Sequence, residues 1–195
     1  MAKVDEFEDF HPLSRAAWRD WLAENCDKSR GIWFVYFKKQ SGKPRVSYDE
    51  AVEEALCFGW IDSLPRKVDD EKSKLLFTPR KLKSVWSKLN KTRIEKLIKS
   101  GAMTEIGVAK IEAAKKNGSW NTLDASDNLE IPKDLAKAFE ENETAKINFE
   151  NFTDAVKRVI LSWIFSAKRE ETRTARIEKL VAMAAKNKRV NFDKE

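Results

Sequence analysis

Apolar residues recur at helical spacing through Leu13–Cys26. Leu13, Ala17, Trp21 and Ala16, Trp18, Leu22 line one side behind Pro12, which predicts an amphipathic helix. Gly31 then opens Ile32-Trp33-Phe34-Val35-Tyr36-Phe37, an aromatic and β-branched run closed by the turn residues Ser41-Gly42-Lys43-Pro44, and this reads as a strand. Ser47 followed by Glu50 forms a capping box, in which the two side chains satisfy free N–H groups, so a helix starts at Tyr48 and runs to Cys57 before Gly59. Alternation resumes over Trp60–Arg66. It returns over Leu75–Arg80 after the charged turn Asp69-Asp70-Glu71-Lys72, and the two runs read as a hairpin whose second strand Pro79 stops. Lys83–Ser100 and Thr104–Asn117 are again helical in period, closed by Gly101 and Gly118.

Between Ser119 and Pro132 the period is lost and Asn, Asp, Ser and Thr cluster, as in a linker. Helical spacing returns over Lys133–Glu143, Thr153–Ala167 and Thr172–Lys186. In the middle one, Val156, Val159, Ile160 and Trp163 make one apolar stripe and Leu161, Ile164 and Phe165 a second, which predicts burial on two sides. The fold class expected is α+β. A small antiparallel sheet (Ile32–Phe37, Trp60–Arg66, Leu75–Arg80) is covered by helices in a domain spanning 1–120, residues 121–132 link, and 133–195 form a C-terminal all-helical segment.

Composition agrees with this outline: 42% hydrophobic residues with seven Trp and eleven Phe fill a core, and 36% charged residues solvate helix faces. Charge adds something the period does not show. Residues 72–118 hold 13 basic and 3 acidic residues, a block whose field favours anionic partners, although lysines that merely solvate helix faces are the commoner origin of such a block. Weak, non-specific nucleic-acid binding through this block is one reading. Neither an aromatic-rich strand motif for RNA nor a recognition-helix pattern accompanies it.

The opening residues are acidic (Asp5, Glu6, Glu8, Asp9) where a signal peptide needs positive charge, and the longest apolar run, Ile32–Phe37, is too short to span a bilayer. A cytoplasmic protein without membrane insertion is expected. Cys26 and Cys57 have neither metal spacing nor a disulfide framework, and His11 is the single histidine, which excludes His-dependent triads and most metal sites. There is no Gly-rich phosphate loop and no nucleophile elbow, so no cofactor and no catalytic residue is assigned. An enzyme of unrecognised type, with Asp62 as its base, stays open as an alternative.

One stretch departs from a plain core. Trp60 and Asp62 start the hairpin, Arg66 follows four residues on, and Arg80 ends it; Trp86, Asn90, Arg93 and Leu97 then recur at i, i+4, i+7 and i+11 on one helix face. If hairpin and helix pack together, Asp62, Arg66, Arg80, Asn90 and Arg93 converge beside Trp60 and Trp86. Aromatic walls with a few placed polar groups build small-ligand sites, and planar guanidinium groups suit carboxylate or phosphate. The same residues also describe a buried ion-pair network in which Asp62 satisfies Arg66 or Arg80. The partner in the first case is a small anionic ligand or an acidic protein segment.

Ala51-Val52-Glu53-Glu54-Ala55-Leu56-Cys57-Phe58-Gly59-Trp60-Ile61-Asp62-Ser63, Phe77-Thr78-Pro79-Arg80, Trp86, Asn90 and Arg93 together resemble the bacteriocin-protection, YdeI or OmpD-associated family. Gly118-Ser119-Trp120 and the tail Trp163 to Arg169, then Glu171-Thr172-Arg173 and Arg176, extend the likeness along nearly the whole chain. Val159-Ile160-Leu161 and Asn187-Lys188 depart from the family's pattern. The resemblance implies a role in protection against bacteriocins or antimicrobial peptides and association with a porin, and brings no enzymatic activity. It implies a periplasmic location too, against the cytoplasmic one expected from the N-terminus.

Overall fold

The computed structural model describes residues 6–190, and the chain divides after Asn121 into two compact units. In the first, β1 (Asp9–Phe10) leads to α1 (Arg15–Asn25), β2 (Ile32–Phe37), α2 (Tyr48–Cys57), the hairpin of β3 (Trp60–Lys67) and β4 (Lys72–Pro79), and then α3 (Lys88–Lys99) and α4 (Glu105–Asn117). The sheet order is β1-β2-β4-β3. The three expected strands pair antiparallel, but β1 adds a parallel edge through Asp9↔Trp33 and Phe10↔Phe34, so the sheet is mixed. Two residues carry too little pattern to announce a strand, which is why sequence reading passed over it.

The capping box at α2 is present as read: Ser47 Oγ accepts from the Glu50 N–H while the Glu50 carboxylate accepts from the Ser47 N–H at 2.8 Å. Ala51, Val52, Ala55, Leu56 and Cys57 of α2 are all buried, and α2 is the central helix of this core. Trp18 joins α1 to it by donating Nε1–H to the Ala51 carbonyl at 3.0 Å, with its ring 5.0 Å from Phe34 and 5.3 Å from Phe77 on the sheet. Where α4 crosses α2 only Gly107 fits, because a Cβ there would stand 2.3 Å from the Cys57 carbonyl oxygen. Gly59, at φ +70°, makes the sharp turn from α2 into β3 that a side chain would strain.

The helix expected from Lys83 starts later, at Lys88. Ser87 is its N-cap, extended at φ −71°, ψ 153°, and its Oγ accepts from the Asn90 N–H. Residues 81–87 form an irregular connection instead, and Trp86 lies outside the helix whose face it was expected to share. Side-chain capping by Ser87 sets this start, which the apolar period by itself does not fix.

The second unit holds α5 (Asp124–Asp127), α6 (Lys133–Glu140), α7 (Glu143–Glu150), α8 (Asp154–Phe165) and α9 (Glu170–Ala184) around Leu135, Phe139, Phe149, Ile160, Leu161, Ile164, Ile177 and Leu180. The stretch read as a linker contains α5, and α7 went unread because its eight residues bury only Ala145 and Phe149. Ile160, Leu161 and Ile164 make the buried side of α8, whereas Val159 points to solvent, so the helix is less enclosed than its two stripes imply. Two arginines of α9 close its C-terminus: Arg176 donates to the Trp163 carbonyl and Arg173 to the Ile164 carbonyl at 3.3 Å, meeting acceptors that a helix end leaves open. Among the described residues no helix is long and apolar enough to cross a membrane.

Candidate functional site

The central residues fall into four places rather than one. Trp60 is core: it donates Nε1–H to the Cys26 carbonyl at 3.0 Å and meets Trp21 edge-on at 5.7 Å. One edge of its ring lines a cleft of about 170 Å³ with Cys26, Phe58, Pro79, Ile106 and Lys110. Trp86 does not line this cleft; it lines a separate, smaller space with Arg80.

Arg66 lies on the opposite face of the sheet from Asp62. Asp62 pairs with Phe77 and Pro65 with Leu75, so three steps along β3 match two along β4. That extra residue is a β-bulge, and it reverses which face each later side chain takes. Arg66 therefore pairs with Lys74 and covers the Trp33 ring at 4.9 Å, away from Asp62.

Asp62, Asn90 and Arg93 meet with two residues not singled out from the sequence, Tyr48 and Asp49 in the first turn of α2. Tyr48 donates Oη–H to Asp62 Oδ2 at 2.9 Å; Arg93 donates Nη1–H to Asn90 Oδ1 at 3.0 Å and Nη2–H to Asp49. Burial and then the hydrogen bond to Asp62 push the Tyr48 phenol up to about 12, since both disfavour the phenolate. These three hydrogen bonds tie α2, β3 and α3 together. For Tyr48 and Asp49 the one mark in the sequence was their place just inside the capping box.

Arg80 and Trp86 are the remaining pair. The Arg80 N–H continues the hairpin by bonding the Gly59 carbonyl at 2.9 Å, which fixes where the side chain leaves the backbone. Its guanidinium lies 3.6 Å from the centre of the Trp86 ring and donates Nη1–H to the Val85 carbonyl at 3.1 Å. The residue is 3% exposed, yet its Nε–H finds no acceptor among the described residues, and none of their ion pairs includes it. Burial draws its pKa down to about 10, with the field of Asp62 acting the other way. An enclosed space of about 10 Å³, large enough for one water or one terminal oxygen, opens beside it, bounded by Lys81, Leu82, Lys110 and Ala114. Lys81 and Lys110 add positive charge to that surrounding.

A further buried charge, Glu54, escaped the sequence reading. Its carboxylate accepts from Arg15 Nε and Arg19 Nη1, each at 2.6 Å, and Arg19 also donates to the Ala102 carbonyl at 2.9 Å. An acid inside the apolar run Ala51–Cys57 was the available signal. Its needs are met within the protein, which makes it a clamp between α1 and α2.

The second unit contains a cleft of about 410 Å³ with Leu129, Ile131, Phe139 and Phe149 on its walls and Glu140 and Lys146 at its rim.

Residues 10–110, more than half of the chain, match the model of a domain of unknown function (DUF8412). Residues 128–187 match the model of the family described as bacteriocin-protection, YdeI or OmpD-associated. That family's model thus covers the tail from Trp163 to Arg176, while the Cys57–Asp62 and Phe77–Arg80 strings fall in the other domain, and the likeness is narrower than the near-whole-chain reading. No curated protein and no solved structure matches the chain.

Proposed function

We propose that this chain, which belongs to the DUF8412 family and carries a bacteriocin-protection, YdeI or OmpD-associated domain in its second unit, is a binding protein that recognises an anionic group at Arg80. The observation that carries this reading is the guanidinium itself: 3% exposed, with a free Nε–H and no carboxylate partner among the described residues. Buried charges are ordinarily paired, because removing a cation from water costs several kcal/mol, roughly, without a counter-charge. Trp86 supports one face of the group, and the in-plane Nε–H edge is left for an acceptor. A carboxylate or phosphate oxygen fits the space of about 10 Å³ by its tip, with Lys81 and Lys110 flanking the rest of the anion. The ligand is a small anion or an acidic protein segment, and the protective role in the second domain's name is exercised through such a contact.

The test is thermal melting of the full chain during titration with inorganic phosphate and with acetate, for wild type and Arg80→Met. A ligand that binds only the native state raises the melting temperature as its concentration passes Kd. The wild type is expected to gain stability and the variant to gain none. Equal responses from the two proteins would remove Arg80 from the reading.

A further inference from the structure

We infer that the segment Lys81–Lys91 is a contact surface for an anionic lipid bilayer. It reads Lys-Leu-Lys-Ser-Val-Trp-Ser-Lys-Leu-Asn-Lys, with four lysines and no acid. Within it Leu82 is 66%, Val85 45% and Leu89 59% exposed, while Trp86 is buried. A single exposed leucine is ordinary on any protein, but three large apolar side chains in eight residues, alternating with lysines, are not accounted for by folding.

The backbone explains how they come to face outward. Asn117 Nδ2 donates to the Leu82 carbonyl at 2.7 Å, Arg80 Nη1 donates to the Val85 carbonyl at 3.1 Å, and Ser84 Oγ accepts from the Lys81 N–H at 3.1 Å. The connection is thus held by its own peptide groups and by the inward Trp86 ring, and Leu82, Val85 and Leu89 are left partly open to solvent. Leu89 then projects from the opening turn of α3, next to Lys88.

Charge complementarity selects the partner. Lysines alone would suit any polyanion, and a nucleic acid would meet them with phosphates while leaving Leu82 and Val85 in water. A bilayer with anionic headgroups meets both: phosphates take Lys81 and Lys83, and the boundary with the acyl chains takes the leucines and the valine. The contact is peripheral, with the side chains of one short segment entering the interface. It shares Lys81 and Leu82 with the wall of the Arg80 space, whereas Val85 and Leu89 lie outside that wall and belong to the bilayer contact alone.

Co-sedimentation of the full chain with phosphatidylcholine vesicles, with and without phosphatidylglycerol, tests this at low and at physiological salt, with duplex DNA titrated in parallel. Binding is expected only with phosphatidylglycerol present and is expected to weaken as salt rises. The triple change Leu82→Ser, Val85→Ser, Leu89→Ser should lower the partition coefficient by roughly tenfold or more, since several buried methylene groups are lost. Replacing Lys81 and Lys83 by Gln should weaken binding and flatten its salt dependence. Circular dichroism melts check folding, and Leu82→Ser alone substitutes if the triple variant melts early. The inference is overturned if vesicles with phosphatidylglycerol are not bound at low salt. It is equally overturned if the apolar variants bind as wild type does, or if DNA is bound as tightly as the vesicles.

Discussion

Arg80 and Trp86 are in face-to-face contact, the guanidinium carbon 3.6 Å from the ring centre, and the same guanidinium holds the Val85 carbonyl next door to that indole. One buried cation therefore shapes the whole connection between β4 and α3. It does so without a counter-ion among the described residues, which sets its energetics apart from those of the other buried charges of this unit.

Replacing Arg80 by Met is expected to leave stability near that of wild type. The fall from the ordinary guanidinium value to about 10 corresponds to a liability of roughly 3 kcal/mol. Against it stand a desolvated cation–π contact of about 2 kcal/mol and one hydrogen bond of about 1 to 2 kcal/mol. These opposing contributions nearly cancel. Because the folded-state pKa is the lower one, this residue's contribution is most favourable above the ordinary guanidinium pKa and is lost as pH falls through about 10. Urea melts at neutral pH check the claim; a midpoint loss equivalent to about 3 kcal/mol or more would mean that Arg80 has an internal partner.

Arg93→Met should cost more, about 1 to 2 kcal/mol, because it leaves the buried Asn90 Oδ1 without its donor. Asp49, the other partner, has a side chain 71% exposed and returns to water on its own. Asp49→Asn should therefore cost under about 1 kcal/mol. Urea melts of both variants measure the difference, and equal losses would contradict it.

The Tyr48 phenol reports on Asp62 directly. In a Tyr36→Phe background, absorbance of the phenolate should show Tyr48 ionising at about 12, and Asp62→Asn should bring the midpoint down. A raised acid contributes stability that is complete below its unfolded pKa of about 10 and is lost as pH climbs towards 12. Arg80 acts with the opposite sign in that window, so the spectroscopic titration separates what a melt would blend. A midpoint indifferent to Asp62→Asn would exclude the hydrogen bond as a cause.

Glu54→Gln is expected to be the most damaging of these changes. It removes one charge from a nearly solvent-free carboxylate that two arginines clasp at 2.6 Å. The loss should reach about 3 kcal/mol, in line with breaking a buried pair and leaving its partners facing a neutral amide. Melting curves of the variant, with Glu53→Gln as the less buried partner of Arg15 for comparison, decide the matter.

In the second unit, Arg173 holds the Asp134 carboxyl below the usual carboxylate range. That contribution is present above the unfolded pKa of about 3.8 and is lost as pH falls further. Asp134→Asn should remove this acid-side loss while costing under about 1 kcal/mol at neutral pH, since the pair is partly exposed. Melts between neutral pH and pH 3 follow it.

The sequence alone determined the elements whose signals are local. The Ser47/Glu50 box set the start of α2, the run Ile32–Phe37 declared β2, and alternation on either side of Asp69–Lys72 declared the hairpin, because capping and side-chain period depend on near neighbours. It also marked Arg80, Trp86, Asn90 and Arg93 as out of place in a plain core. Which of them meet was decided by tertiary structure. A one-residue bulge sent Arg66 to the far face, a cap at Ser87 moved Trp86 off α3, and Tyr48 and Asp49 reached Asp62 and Arg93 across 14 and 44 residues of chain. The clamp of Glu54 by Arg15 and Arg19 is of the same kind. Pairings of this sort depend on strand register and helix packing, and both follow from burying the whole apolar surface at once, which no local window of residues contains.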